Sequence, residues 1–262
     1  MNKIKTIILK EWAEVFKQRM VLFSVIFMPL LFTALPLIML YATRSTGADG
    51  LTSEMPAQFN QICPEGLSGG ECFQVFIVGQ FLVLFLMLPL MIPVNIAAYS
   101  IVGEKTTHSL EPLLATPITT AELLSGKNLA AVIPAVLATW LGFIVYAIGA
   151  RIMITNPVVF RALLDPMWLL AVIVVGPLMA VLSVNFSIMV SSRANDPRVA
   201  EQLSAVVILP VLALFFGQIS GLFFINQRLI IVMALILLLI DALMIYLAVR
   251  LFQRETILTR WK

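Results

Sequence analysis

Six uninterrupted apolar segments, at roughly 21–41, 73–99, 128–150, 167–190, 202–224 and 229–251, constrain this chain more than any other feature. Each mixes Leu, Ile, Val, Phe and Met without period-two alternation and lasts about 20 residues, the length a helix needs to cross roughly 30 Å of hydrocarbon. In hydrocarbon every backbone donor and acceptor must be paired inside the structure, so such segments fold as spanning helices. The missing alternation excludes an outer-membrane barrel. Only 12% of residues are charged, about half the share of an average soluble domain. The predicted fold is an all-α membrane protein with six transmembrane helices. With no internal repeat or low-complexity linker, residues 1–262 read as one membrane domain.

An even number of spans puts both termini on one side. If that side is the cytoplasm, it holds thirteen of the Lys and Arg residues, against Arg44, Arg151, Arg161 and Arg228 outside. The positive-inside rule therefore predicts cytoplasmic termini. Net charge of +3 then expresses topology and contact with anionic lipid, and gives no argument for nucleic acid as a partner. The first apolar run is too long for a signal-peptide core and follows a charged helix, so it is read as a span.

Residues 3–19, KIKTIILKEWAEVFKQR, place Ile4, Ile7, Ile8, Trp12, Val15 and Phe16 on one helical face, with Lys3, Lys10, Glu14, Lys17 and Gln18 largely opposite. That pattern predicts an amphipathic helix in the inner interface, with Trp12 at headgroup level. Between the first two spans lies the longest outside loop, roughly 42–72. It is acid-rich and contains Cys63 and Cys72, separated by eight residues including three glycines; an oxidising compartment predicts a disulfide between them. The second outside loop is expected near 151–166. On the inner side, Asp196-Pro197 is a helix-start signal between the fourth and fifth spans. Pro89 and Pro93 are expected to bend the second span, and Pro210, Gly217 and Gly221 to interrupt the fifth.

No phosphate cradle is present: Gly126-Lys127 is followed by Asn128 and lacks the earlier glycine, so any ATP is bound by another chain. His108 is the single histidine, which leaves no basis for a metal centre. Asp241 lies near the middle of the sixth span with no Lys or Arg one turn away. A carboxyl there must face a wet cavity or a partner, carry a proton, or be hydrogen-bonded within the bundle. It is the leading intramembrane candidate, with Asn185, Gln80 and Asn95 as uncharged groups that line a pathway or join helices.

The one long polar-rich stretch between apolar segments is Gly103 to Lys127. Thr119 with Glu122 three residues later is a capping box that starts the helix of the third span. Upstream, Ser109 to Ala115 allow a short helix, tolerating Pro112 in its first turn and ended by Thr116-Pro117. Leu110, Leu113 and Leu114 share one face of it. An apolar turn in cytosol needs cover, from lipid, from the amphipathic helix of this chain, or from a partner's groove.

The stretch EKTTHSLEPLLATPITTAELLSGK resembles the first cytoplasmic loop of the ABC-2 type permease family, through Glu104, Ser109, Leu110, Glu111, Leu113, Leu114, Thr116, Pro117, Glu122, Gly126 and Lys127. His108 stands where that family usually has glycine, and Pro112 lies inside the turn. The resemblance implies the permease half of an ATP-driven exporter in a prokaryotic inner membrane, with no catalysis or cofactor of its own. It also implies a second permease, identical or paralogous, completing a twelve-helix pathway, and two copies of an ATPase subunit supplying ATP and Mg. On the same resemblance the short helix is a coupling helix that docks in a cleft of the ATPase. Leu110, Leu113 and Leu114 would be its coupling surface, and Glu104 and Glu111 its polar contacts. Two other readings stay open: an ion-coupled secondary carrier using Asp241, and a membrane-embedded enzyme acting on lipid. The cargo is not legible.

Overall fold

The computed structural model describes residues 2–46, 67–106 and 118–251. The chain runs through α1 (Asn2–Val15), α2 (Arg19–Thr46), α3 (Gly69–Phe85), α4 (Leu88–Thr106), α5 (Thr120–Met153), α6 (Pro157–Leu163), α7 (Pro166–Leu170), α8 (Gly176–Arg193), α9 (Pro197–Ser204), α10 (Leu209–Ile219) and α11 (Gln227–Leu251). No strand occurs among the described residues. Six stretches are long and apolar enough to cross a membrane: Val21–Thr43, Gly69–Glu104, Thr120–Met153, Pro157–Arg193, Pro197–Ile219 and Gln227–Arg250. Each overlaps one predicted span, so the six-span, all-α architecture stands.

Burial separates an axis from a wall. In the second stretch 72% of the most apolar window is buried, against 22%, 17% and 17% in the first, fifth and sixth. The broken helix α3–α4 is therefore the centre of the bundle, while α2, α10 and α11 present apolar side chains such as Phe23, Ile38, Leu209, Leu235 and Leu239 outward. The tightest partner of α4 is α8. On α8 the small residues Gly176, Ala180, Ser183, Ser187 and Ser191 are buried, which lets the two backbones approach. Ser183 donates to the Leu90 carbonyl at 2.6 Å and Ser187 to that of Val94 at 3.4 Å. Residue numbers rise together along both helices, so α4 and α8 run parallel, as the second and fourth of six spans must.

Prolines account for the breaks in the spans. Pro89 lacks the N–H that would bond the Phe85 carbonyl, and the second span breaks at Leu86–Met87. Before Gly176-Pro177 the ladder widens into a π turn, Ala171–Val175, in which the Gly176 N–H reaches Ala171. Ahead of Pro210 it tightens into a 3-10 turn, Ala205–Ile208. The fifth span then ends on Gly221, at φ 71°, in a Schellman motif: the Leu222 N–H donates to Gly217 and that of Gly221 to Gln218.

One expectation changes. Residues 151–166 are mostly helix rather than loop: α5 continues to Met153, and α6 and the start of α7 occupy the rest. Asn156-Pro157 and Asp165-Pro166 are the reason. Asn156 accepts from the Val158 N–H and Asp165 from that of Met167, the same N-cap that Asp196 makes to Arg198 before Pro197. Among the described residues between the first two spans, Ser68 and Glu71 form a capping box that starts α3, and Asn156 donates to Glu71 at 2.8 Å. Cys72, one residue further on, is disulfide-bonded; Cys63, its expected partner, lies outside the described residues.

Candidate functional site

The C-terminal end of α4 and the N-terminal end of α5 flank residues 107–117, which lie outside the described residues and include Leu110, Glu111, Leu113 and Leu114. What the structure describes is the pair of stems that carry them. The predicted capping box is present: Thr119 accepts from the Glu122 N–H at 3.2 Å, and the Glu122 carboxylate accepts from the Thr119 N–H at 2.8 Å. It satisfies two otherwise orphaned donors and sets where α5 begins.

One turn further along α5, Lys127 is buried. Its ammonium donates to Glu11 Oε1 and to Ser100 Oγ, each at 2.8 Å, and pairs electrostatically with Glu104 Oε2 at 2.8 Å. Ser100 donates in turn to Glu11 Oε2 at 2.5 Å, and Lys10 donates to Glu104 Oε1 at 2.5 Å. Lys10 also pairs with Glu14 at 3.3 Å. The set holds two cations, the buried Lys127 and the half-buried Lys10, and two buried anions, Glu11 and Glu104, drawn from α1, α4 and α5. Burial opposes the charge on Glu11, but Lys127, Ser100 and Lys10 outweigh it and hold this carboxyl below its ordinary pKa. Burial likewise opposes the charge on Lys10; Glu104 first, then Glu11 and Glu14, keep the ammonium above its ordinary value.

The same helix α1 grips α5 in two further places. Gly126 leaves a notch filled by Ile7: a Cβ at Gly126 would stand 2.6 Å from Ile7 Cγ2. Trp12 donates its indole N–H to the Ala130 carbonyl at 2.8 Å. That carbonyl is open because its usual donor, four residues on, is Pro134. The partner of the indole N–H, a proline-freed acceptor on α5, was not legible in the sequence. Trp140 repeats the device, donating to Val172 at 3.2 Å where Pro177 cannot.

Sequence reasoning placed Glu104 among contacts to a partner. The structure buries it at 4% exposure between Lys10 and Lys127. Glu11, Ser100 and the hub role of Lys127 were missed. A signal was available: Glu11 lies four residues from both Ile7 and Val15, on a stripe that is otherwise apolar.

The four intramembrane candidates lie on four helices, and no hydrogen bond among the described residues joins any two of them. Asn185 is a helix–helix link: it accepts from Asn128 at 2.9 Å and donates to Val181 at 2.9 Å. Asn95 is half-buried on α4. Gln80 is buried with neither amide atom hydrogen-bonded among the described residues. Asp241 is 5% exposed on α11, with both oxygens likewise unpartnered. Its neighbours Leu239 and Leu243 are 69% and 56% exposed, so the carboxyl is turned into the bundle and not toward the hydrocarbon.

A family model described as "ABC-2 family transporter protein" matches residues 5–252, almost the whole chain and both stems. No curated protein matches it.

Proposed function

The chain belongs to the ABC-2 transporter family and is a multi-pass permease component of an ABC transporter; on that premise we propose that it is the membrane half of an exporter driven through the Gly103–Lys127 loop. Hydrolysis belongs to a separate ATPase subunit, in two copies, which brings ATP and Mg. Two permease chains, identical or paralogous, form the pathway. The setting is a prokaryotic inner membrane with both termini cytoplasmic, in line with the charge bias of the loops.

The observation that carries this reading is the bracing of the loop. A leucine-faced turn is useful for transmission only if its attachment is rigid, and a Glu104–Lys127 ion pair at 2.8 Å ties one stem to the other just inside it. Force applied at Leu110, Leu113 and Leu114 then moves α4 and α5 together and does not merely deform a loop. Glu104 serves from within, as a brace, and Glu111 remains the polar contact on the loop itself. Replacing Leu113 and Leu114 together by Asp tests this. ATPase co-purification and cargo export are expected to fall at least tenfold with membrane insertion unchanged; full co-purification in the double variant would refute the docking.

Asp241 is the best-supported point of cargo contact, because a buried carboxyl with two open oxygens demands a partner. Gln80 offers a second open group nearer the outer side. Cargo export that fails in Asp241→Asn while the ATPase still binds supports this role.

A further inference from the structure

We propose that α1 is a third limb of the coupling apparatus, carried with the stems of the loop so that motion of the ATPase reaches the first span as well as the second and third. This rests on the coupling role proposed above for the Gly103–Lys127 loop.

Three contacts lie in register along α1. Ile7 sits in the Gly126 notch, Glu11 pairs with Lys127, and Trp12 caps the Ala130 carbonyl. On α5 these positions fall within about one turn, so the two helices are held by a continuous seam. From its other side α1 reaches α4, through Lys10 to Glu104 and through Glu11 to Ser100. Neither stem shifts without breaking a buried ionic contact to α1. An apolar seam of the same shape would hold the helices together equally well. What the ionic set adds is one permitted register, since a slip leaves a buried charge unpaired.

The far end of α1 is joined directly to α2. Only residues 16–18 separate the helices, and hydrogen bonds from Phe16 to Trp12, Gln18 to Val15 and Leu22 to Gln18 run through the junction. A displacement of α1 therefore passes into α2. Glu11 and Lys127 act here as positioning residues: they touch no cargo and no nucleotide, and set what moves with what.

Spin-label distances in the purified permease–ATPase complex test the inference, compared without nucleotide and after trapping with ATP and vanadate. Lys5 on α1, Ser125 on α5 and Arg198 on the inner α9 are exposed label sites. The expected result is a Lys5–Ser125 distance that is the same in both states, with Lys5–Arg198 and Ser125–Arg198 changing together. In Glu11→Gln/Lys127→Met the Lys5–Ser125 distance should become state-dependent. A merely structural seam would leave that variant less stable but would not make this distance follow the nucleotide. Wild-type data alone can overturn the proposal: Ser125 moving relative to Arg198 while Lys5 stays fixed to Arg198 would do so. No ATPase in the complex, or no change at Ser125–Arg198, would instead overturn the coupling reading beneath it.

Discussion

Lys127 shows how a single buried charge sets what its neighbours must be. With Glu11, Glu104 and Ser100 all at 2.8 Å it is the buried cation of the cluster, and its removal leaves two buried carboxylates with only the half-buried Lys10 beside them. Lys127→Met is therefore expected to destabilise the chain by about 3–5 kcal/mol, as broken buried pairs do. Adding Glu11→Gln removes one of the stranded charges, so the double variant should be more stable than Lys127→Met alone in thermal unfolding in detergent. The pH response follows from the same contacts. Glu11, depressed on folding, contributes stability that is present above its ordinary 4.5 and lost as pH falls through the lower folded value. Lys10, raised on folding, contributes below 10.5 and loses that contribution as pH rises through the higher folded value. The seam between α1 and the stems should thus hold across neutral pH and release first in acid, with Glu11→Gln flattening the acid limb of the melting profile. Asp241 has the opposite character. Its oxygens gain nothing from the described residues, so Asp241→Leu is expected to raise the melting temperature while abolishing export.

At the scale of helices, prolines open carbonyls and side chains from neighbouring helices close them. Trp12 answers Pro134, and Trp140 answers Pro177. Trp12→Phe keeps the ring but strands the Ala130 carbonyl, at about 1–3 kcal/mol. In a Pro134→Ala background the new N–H takes over that acceptor, so the same substitution should cost less; equal costs in both backgrounds would show that the indole bond is not what binds α1 to α5. Between α4 and α8, Ser183→Ala and Ser187→Ala should each cost about 0.6 kcal/mol, the usual worth of such bonds in membranes. These contacts also mark how far the sequence could be read. Spans, the breaks at Pro89 and Pro210, the Thr119 box and the Asp196 cap follow from local chemistry and were legible, whereas Pro93 lies in unbroken helix and the π turn ahead of Pro177 went unread. The caps at Asn156 and Asp165 carry the same signal as Asp196 and were overlooked inside a stretch taken for loop. The α1 seam was not legible, because its hydrogen-bonded pairs are separated by 89 to 118 residues and nothing local to Glu11 or Trp12 identifies Lys127 or Ala130 as the partner.

The whole molecule is a buried α3–α4 axis inside a wall of peripheral helices, with its only described cluster of buried ion pairs at the end that carries the two stems. That polarity is what a driven permease requires. On the proposed coupling, charge-braced stems would receive force on one face, and a bundle interrupted at Leu86–Met87, Ala171–Val175 and Ala205–Ile208 has places to yield. The family explains the plan; the buried charges explain how this chain would carry load from the loop to three spans. The proposed coupling requires that the segment bearing Leu110, Leu113 and Leu114 meet an ATPase. A photo-crosslinking residue at Leu113, in native membranes, with the captured species identified by mass spectrometry, tests it most directly. Capture of a soluble ATPase subunit is the expected result; capture of lipid or of this chain alone would refute the coupling.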